Sequence, residues 1–260
     1  MLFPDSYPNL LSPDFTMAAA LTAAQAATAV AFPTAGVHLN AAISIAAVDD
    51  DMASSFSYAG FRDTGMYFSA SLLKVAALLA AYELRQSAAD FAGDQSDCTA
   101  GTMFTGVRNE FDQDIQDSVP LLLNTPGITP NMRVPKYPTV FAAGQPLPDG
   151  GCGLSFNPAF AADVRGMIVD SDNDQASATI QALGYSWING LMSNGGLFNQ
   201  STNTGIWLGG TFTGAFPAVR VPSINDGPSA QATTTIDMAK FLALLREEIG
   251  RASCRERVWR

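Results

Sequence analysis

From residue 17 to 32 the chain reads "MAAALTAAQAATAVAF", a pattern that predicts a short amphipathic helix packed on a domain surface. "AAISIAAV" at 41–48 predicts a strand, "DDDM" its turn, and "SSFSYAG" at 54–60 alternates as the second strand of a hairpin. From Leu72 to Ala81 every residue except Lys74 is apolar, so a helix here is expected to be buried all round. A lysine near the start of such a helix is costly to bury unless something pairs or uses it. Residues 86–156 show no sustained period; "CTAGT", "NTPGITPN" and "AAGQPLPDGGCG" are turn signals between short helices such as 110–123. Two helical patterns follow, 157–169 and about 175–183, joined by the polar elbow "DSDND". A Gly- and Asn-rich stretch occupies 184–216. An amphipathic helix over 233–248 then has threonines before it as cap candidates. No internal repeat is present.

Composition narrows the function classes. With 260 residues, 47% of them hydrophobic, the chain can bury one sizeable core, and a single domain over 1–248 is predicted. The net charge is -10 with three lysines (Lys74, Lys136, Lys240) and no basic run, which argues against nucleic acid as a partner. The stretch at 17–32 is interrupted by Gln25, and residues 1–16 contain no Lys or Arg, so neither a membrane span nor a signal peptide is read there. The last twelve residues, "IGRASCRERVWR", carry four arginines, whereas 1–248 hold ten basic side chains in all. Ile249–Val258 resembles a translated sequencing adapter, and 249–260 is expected to be a non-native tail. Outside it, Cys98 and Cys152 form an even pair in a loop-rich region. They are either a disulfide, as in an oxidising compartment, or two free thiols.

Lys74 lies three positions after Ser71, and on a helix that spacing puts them on one face. A neutral lysine amine there can take the serine proton, and burial is what makes the amine neutral. A helix-capping serine followed by an unrelated lysine satisfies the same spacing. In the extended elbow Ser171-Asp172-Asn173, residues i and i+2 point the same way. Ser171 and Asn173 can therefore face a cleft while Asp172 turns inward to hold the loop. A hydroxyl and an amide suit proton transfer to a leaving amine and docking of a substrate amide; an Asx-turn between two helices is the plainer reading. His38, the lone histidine, has no carboxylate or second ligand near it in sequence and is read as a surface or packing residue. "YSWI" at 185–188 and "GIWLGG" at 205–210 are read as core, with a cleft wall as the other role open to them. No metal site, phosphate loop or cofactor is expected.

The order strand, strand, Ser-x-x-Lys helix, helical lobe, Ser-Asp-Asn elbow resembles the penicillin-recognising serine hydrolases: class A β-lactamases and D,D-transpeptidases. The likeness spans about Ala41 to Glu248. It implies an α/β fold of the β-lactamase/transpeptidase-like kind, with an antiparallel sheet flanked by helices and an all-helical lobe. It also implies an acyl-serine mechanism on a β-lactam or D-Ala-D-Ala-like amide or ester, so the expected partner is a small molecule or a peptidoglycan peptide. Ser71 would be the nucleophile, Lys74 its base or proton relay, Ser171 the shuttle to the leaving nitrogen, Asn173 the ligand of the substrate amide, and Asp172 structural. The family's third motif, Lys/His-Thr/Ser-Gly, occurs nowhere in the chain. With the tail at 249–260, that implies missing C-terminal strands and an inactive, poorly stable chain as written. No Glu lies between Glu110 and Glu247 to match the lactamases' deacylating glutamate; Asp226 is the nearest substitute, and a turn residue by the other reading. Slow deacylation favours peptidase-like, esterase-like or penicillin-binding activity. A non-catalytic binding domain retaining the fold is the rival. The family and the cysteine pair together point to an extracytoplasmic setting, and oligomeric state is not encoded.

Overall fold

Asp14 turns its carboxylate onto the free amides of Thr16 and Met17, at 2.8 and 2.9 Å, satisfying two donors that a helix start leaves open. In the computed structural model, residues 10–33, 41–48, 55–142, 144, 146–148, 150–214 and 216–258 are described, with side chains through Arg246. The helix that Asp14 caps, α1 (Phe15–Ala31), follows a short strand, β1 (Leu11–Pro13). It is the alanine-rich helix expected at 17–32, begun two residues earlier. It lies on the surface with only Leu21 buried and Phe15 91% exposed, so it lacks the apolar stripe of an amphipathic helix.

The predicted hairpin forms between β2 (Ile43–Ala47) and β3 (Phe56–Phe61), antiparallel with Ile45 opposite Ala59. β1 joins the far edge of β3 in parallel, giving the order β1-β3-β2. A second strip continues with β4 (Tyr67–Phe68), after which a 3-10 turn, Ala70–Leu73, runs directly into α2 (Lys74–Gly93). Ala76, Ala77, Ala80, Ala81, Leu84 and Ala88 of α2 are completely buried. Small side chains on that face let neighbouring backbones approach closely. Burial is not uniform as expected, however: Leu72, just ahead of α2, is 46% exposed.

The region expected to hold only short helices begins with a long one, α3 (Ala100–Asp117). It stops before Pro120, which lacks an amide hydrogen and disfavours helical backbone at Val119, and three single turns follow: α4 (Pro120–Leu123), α5 (Pro130–Arg133) and α6 (Tyr137–Val140). The ribbon β5 (Phe141–Ala142) with β6 (Ser155–Phe156) leads to α7 (Pro158–Val169) and α8 (Asn173–Leu183), the two helices predicted around the elbow. Cys98 and Cys152 are joined by a disulfide that ties the end of α2 to this ribbon.

Within the Gly- and Asn-rich stretch, to which the sequence pattern assigned no element, α9 (Tyr185–Asn194) is a helix buried along nearly its whole length. Gly184 makes the joint between α8 and α9 with φ 81°, and a Cβ there would lie 2.5 Å from the Arg133 carbonyl oxygen, so only glycine fits. β7 (Phe198–Asn199) and β8 (Thr204–Gly205) form a tight ribbon. β9 (Trp207–Leu208) then pairs with β10 (Gln231–Thr233), which also pairs with β4. Last comes α10 (Thr235–Val258), whose first turn is capped by Thr234: its hydroxyl accepts from the Asp237 amide at 3.0 Å and donates to the Asp237 carboxylate. Its backbone stays helical beyond residue 248, where the sequence pattern ends.

The chain is a mixed α/β protein, about 53% helix with small, mainly antiparallel sheets. Instead of one sheet, the described residues form two of three strands and two ribbons. Among the described residues no helix is long and apolar enough to cross a membrane. The "DDDM" turn and His38 lie outside the described residues.

Candidate functional site

Ser71 sits in the 3-10 turn that follows β4, and three contacts fix the entry to that turn. The Asn225 side chain accepts from the Phe68 amide at 2.7 Å and donates to the Phe68 carbonyl at 3.3 Å. The Ser69 amide donates to the Gln231 carbonyl of β10 at 3.2 Å. Between Ser69 and Ser71, Ala70 has φ 46°, a left-handed conformation that L-residues adopt only when their surroundings impose it and that clusters at functional sites. Ser71 is therefore carried on an exposed, strained turn one step ahead of α2, and it does not cap α2 as a helix-starting serine would.

Lys74 is only 2% exposed. Its amine donates to the Ser171 carbonyl at 2.5 Å, to the Asn173 side-chain carbonyl oxygen at 2.8 Å and to the Ser171 hydroxyl at 3.2 Å. Those partners lie 97 and 99 positions along the chain. The elbow presents them through a second left-handed residue, Ser171 with φ 52°. Asp172, whose carboxylate accepts from the Gln175 amide at 2.8 Å, starts α8 between them. The elbow is not the extended one expected: Ser171 is left-handed, it and Asn173 meet the lysine, and Asp172 caps the helix start, as the plainer Asx-turn reading has it. Burial pushes the Lys74 amine below the ordinary lysine range, against the opposing pull of the Asp172 charge. The Lys74 backbone amide donates to the Ser71 carbonyl, but the hydrogen bond between the Ser71 hydroxyl and the Lys74 amine that the shared-face spacing led us to expect is absent among the described residues. A protonated amine has three donors, and the elbow engages all of them.

The loop after β9 closes the other side of the amine, with the Phe212 ring centroid 5.0 Å from the Lys74 nitrogen. That loop is pinned to α8 by Ser177, whose buried hydroxyl oxygen lies 3.1 Å from the Phe212 amide and 3.2 Å from the Thr213 amide. Sequence reasoning missed both Phe212 and Ser177. The available signal was Ser177 itself, a polar residue one helical turn after Asn173 on a face otherwise buried as Ala176 and Ile180.

The remaining candidates fall away from this centre. Asp226 lies in an exposed turn and, among the described residues, makes no hydrogen bond to the lysine or the elbow. Trp187 and Trp207 are completely buried, and their indoles donate to the Ala80 and Val219 carbonyls at 2.8 and 2.9 Å, so both belong to the core. Lys240 pairs with Asp237 at 2.8 Å on α10. No group of three or more His, Cys, Asp or Glu side chains suited to a metal ion occurs among the described residues.

No protein-family model, curated protein or solved structure matches the chain.

Proposed function

We propose that the protein is a serine hydrolase of the penicillin-recognising kind, with a β-lactamase/transpeptidase-like fold, that forms an acyl-serine on a β-lactam or D-Ala-D-Ala-like amide or ester. The observation that carries this reading is the buried Lys74 amine shared by Ser171 and Asn173, next to a serine held on a strained, exposed turn. A pure scaffold has no need to bury an amine among neutral acceptors.

In this reading a neutral Lys74 amine releases one elbow contact and takes the Ser71 proton. The Ser71 oxygen bonds to the substrate carbonyl carbon and the electron pair moves onto the carbonyl oxygen. When the tetrahedral species collapses, the bond from carbon to nitrogen or oxygen breaks. The proton passes from Lys74 through the Ser171 hydroxyl, 3.2 Å away, to the leaving atom. The Ser71 amide would supply half of the oxyanion hole, and Asn173 would turn its free amide hydrogens to the substrate. The longer path from Ser71 to Lys74 fits a site without substrate, where catalytic hydrogen bonds tighten only on binding.

A fluorescent penicillin tests the proposal on a chain in which a strand carrying the Lys/His-Thr/Ser-Gly motif follows Glu248: a covalent, gel-stable adduct is expected there and none on its Ser71→Ala variant. No adduct on folded protein at high reagent concentration overturns it for lactams. Reversible binding of the reagent without an adduct would instead support the rival, a binding domain.

A further inference from the structure

We propose that Phe212 is a cover over the Lys74 amine and that Ser177 is the positioning residue that holds the cover in place. The elbow supplies three oxygen acceptors on one side of the amine, at 2.5 to 3.2 Å, and the Phe212 ring lies on another at 5.0 Å. Nothing in the secondary structure of the loop fixes that ring, because Phe212 lies between β9 and β10 in irregular chain. The fastening is Ser177, itself 3% exposed. Its hydroxyl donates to the Asn173 carbonyl at 2.8 Å and accepts the Phe212 and Thr213 amides at 3.1 and 3.2 Å. One donor and two acceptor sites are the full capacity of a hydroxyl. The Thr213 hydroxyl lies 3.2 Å from the same oxygen. One buried atom therefore joins the first turn of α8, which carries Asn173, to the loop that carries the ring.

Two effects of the ring oppose each other. Excluding water disfavours the ammonium form, whereas the negative face of the ring favours it. Exclusion is the larger effect in this proposal, because Lys74 is only 2% exposed beneath the ring. Leucine at position 212 would keep the exclusion and remove the ring face; alanine would let water reach the nitrogen. The consequence for catalysis rests on Lys74 acting as the base proposed above, but the cover can be tested without any substrate.

The full chain labelled with ε-13C lysine has three lysine signals, Lys74, Lys136 and Lys240, each assignable by Lys→Arg substitution. Titrating the Lys74 signal reads its protonation directly. Phe212→Ala and Ser177→Ala are expected to move the midpoint upward to a common pH, and the double variant no further, since Ser177 acts through Phe212. Phe212→Leu is expected to leave the midpoint at or below that of the wild type. An unmoved midpoint in Phe212→Ala overturns the cover. An unmoved midpoint in folded Ser177→Ala, or shifts that add in the double variant, overturns the positioning role. If Ser177→Ala fails to fold, the pair Phe212→Ala and Phe212→Leu still decides the cover, and a surviving cover is then tested for dependence on Ser177 with Ser177→Cys, which must shift the midpoint upward. A clear cover effect with no penicillin adduct would sink the proposed function and leave this inference standing.

Discussion

The Lys74 amine has left water for three neutral oxygens, a placement that costs stability. Burial holds the amine below the ordinary lysine range, and the sign of the stability effect follows. Below the folded-state midpoint both folded and unfolded chains carry the proton, and the folded chain bears the whole cost of a desolvated ammonium. Between that midpoint and the ordinary 10.5, the unfolded chain binds more protons, so stability rises with pH across this window. Replacing the lysine by methionine, a side chain of similar volume, is expected to leave the protein equally stable or up to about 2 kcal/mol more stable at pH 7. It is also expected to abolish the penicillin adduct. Urea unfolding of wild type and Lys74→Met from pH 7 to 10 checks both parts, because the gap between them should narrow as pH rises. A Lys74→Met protein several kcal/mol less stable would mean that the amine is a structural tie.

At the scale of elements, the irregular loop after β9 is placed by polar fastenings more than by its own strand pairs. Asn189, completely buried on α9, donates to the Tyr185 and Leu208 carbonyls at 2.8 and 2.9 Å and accepts the Leu208 amide at 2.9 Å. It does for β9 what a neighbouring strand would do, and β9 in turn sets where the Phe212 loop begins. Asn189→Leu keeps the size and leaves the Leu208 amide and carbonyl buried without this partner. A loss of about 2–4 kcal/mol is expected, with faster hydrogen exchange at Leu208 and along the loop after it. Destabilisation under about 0.5 kcal/mol would show that α9 and β9 are held by packing alone. The helical identity of α9 was hidden for a related reason. Its apolar residues surround the axis, because nearly every face meets protein, and periodicity carries no signal when both sides of a helix are buried.

For the whole molecule, the Cys98–Cys152 disulfide spans 54 positions and links the helix that carries Lys74 to the ribbon leading into α7 and the elbow. In the chain-entropy picture a loop of that length restricts the unfolded state by up to about 4 kcal/mol. Replacing both cysteines by serine is expected to cost about 2–4 kcal/mol in urea unfolding. The penicillin adduct should be retained under conditions where the variant is still folded, because neither sulfur approaches Lys74 or the elbow. If the adduct disappears while the fold persists, the bridge orders the site as well as the unfolded chain.

Local chemistry in the sequence was enough to determine much of this protein. The capping residues Asp14, Asp172 and Thr234, the alternation of β3, the runs under α2, α7 and α8, and the joining of Ser171 and Asn173 by an elbow are all short-range signals, decided by backbone sterics and nearest neighbours. The conditions for a buried amine were also legible in a lone lysine among apolar residues. What only the tertiary structure decided lies between distant segments: the Lys74 amine turns to an elbow 97 positions away instead of to Ser71, a phenylalanine from an irregular loop covers it, and a serine on α8 fastens that loop. Those contacts have no period and no spacing. They exist because a desolvated amine and buried amides must each find partners, and only the folded chain says which are within reach.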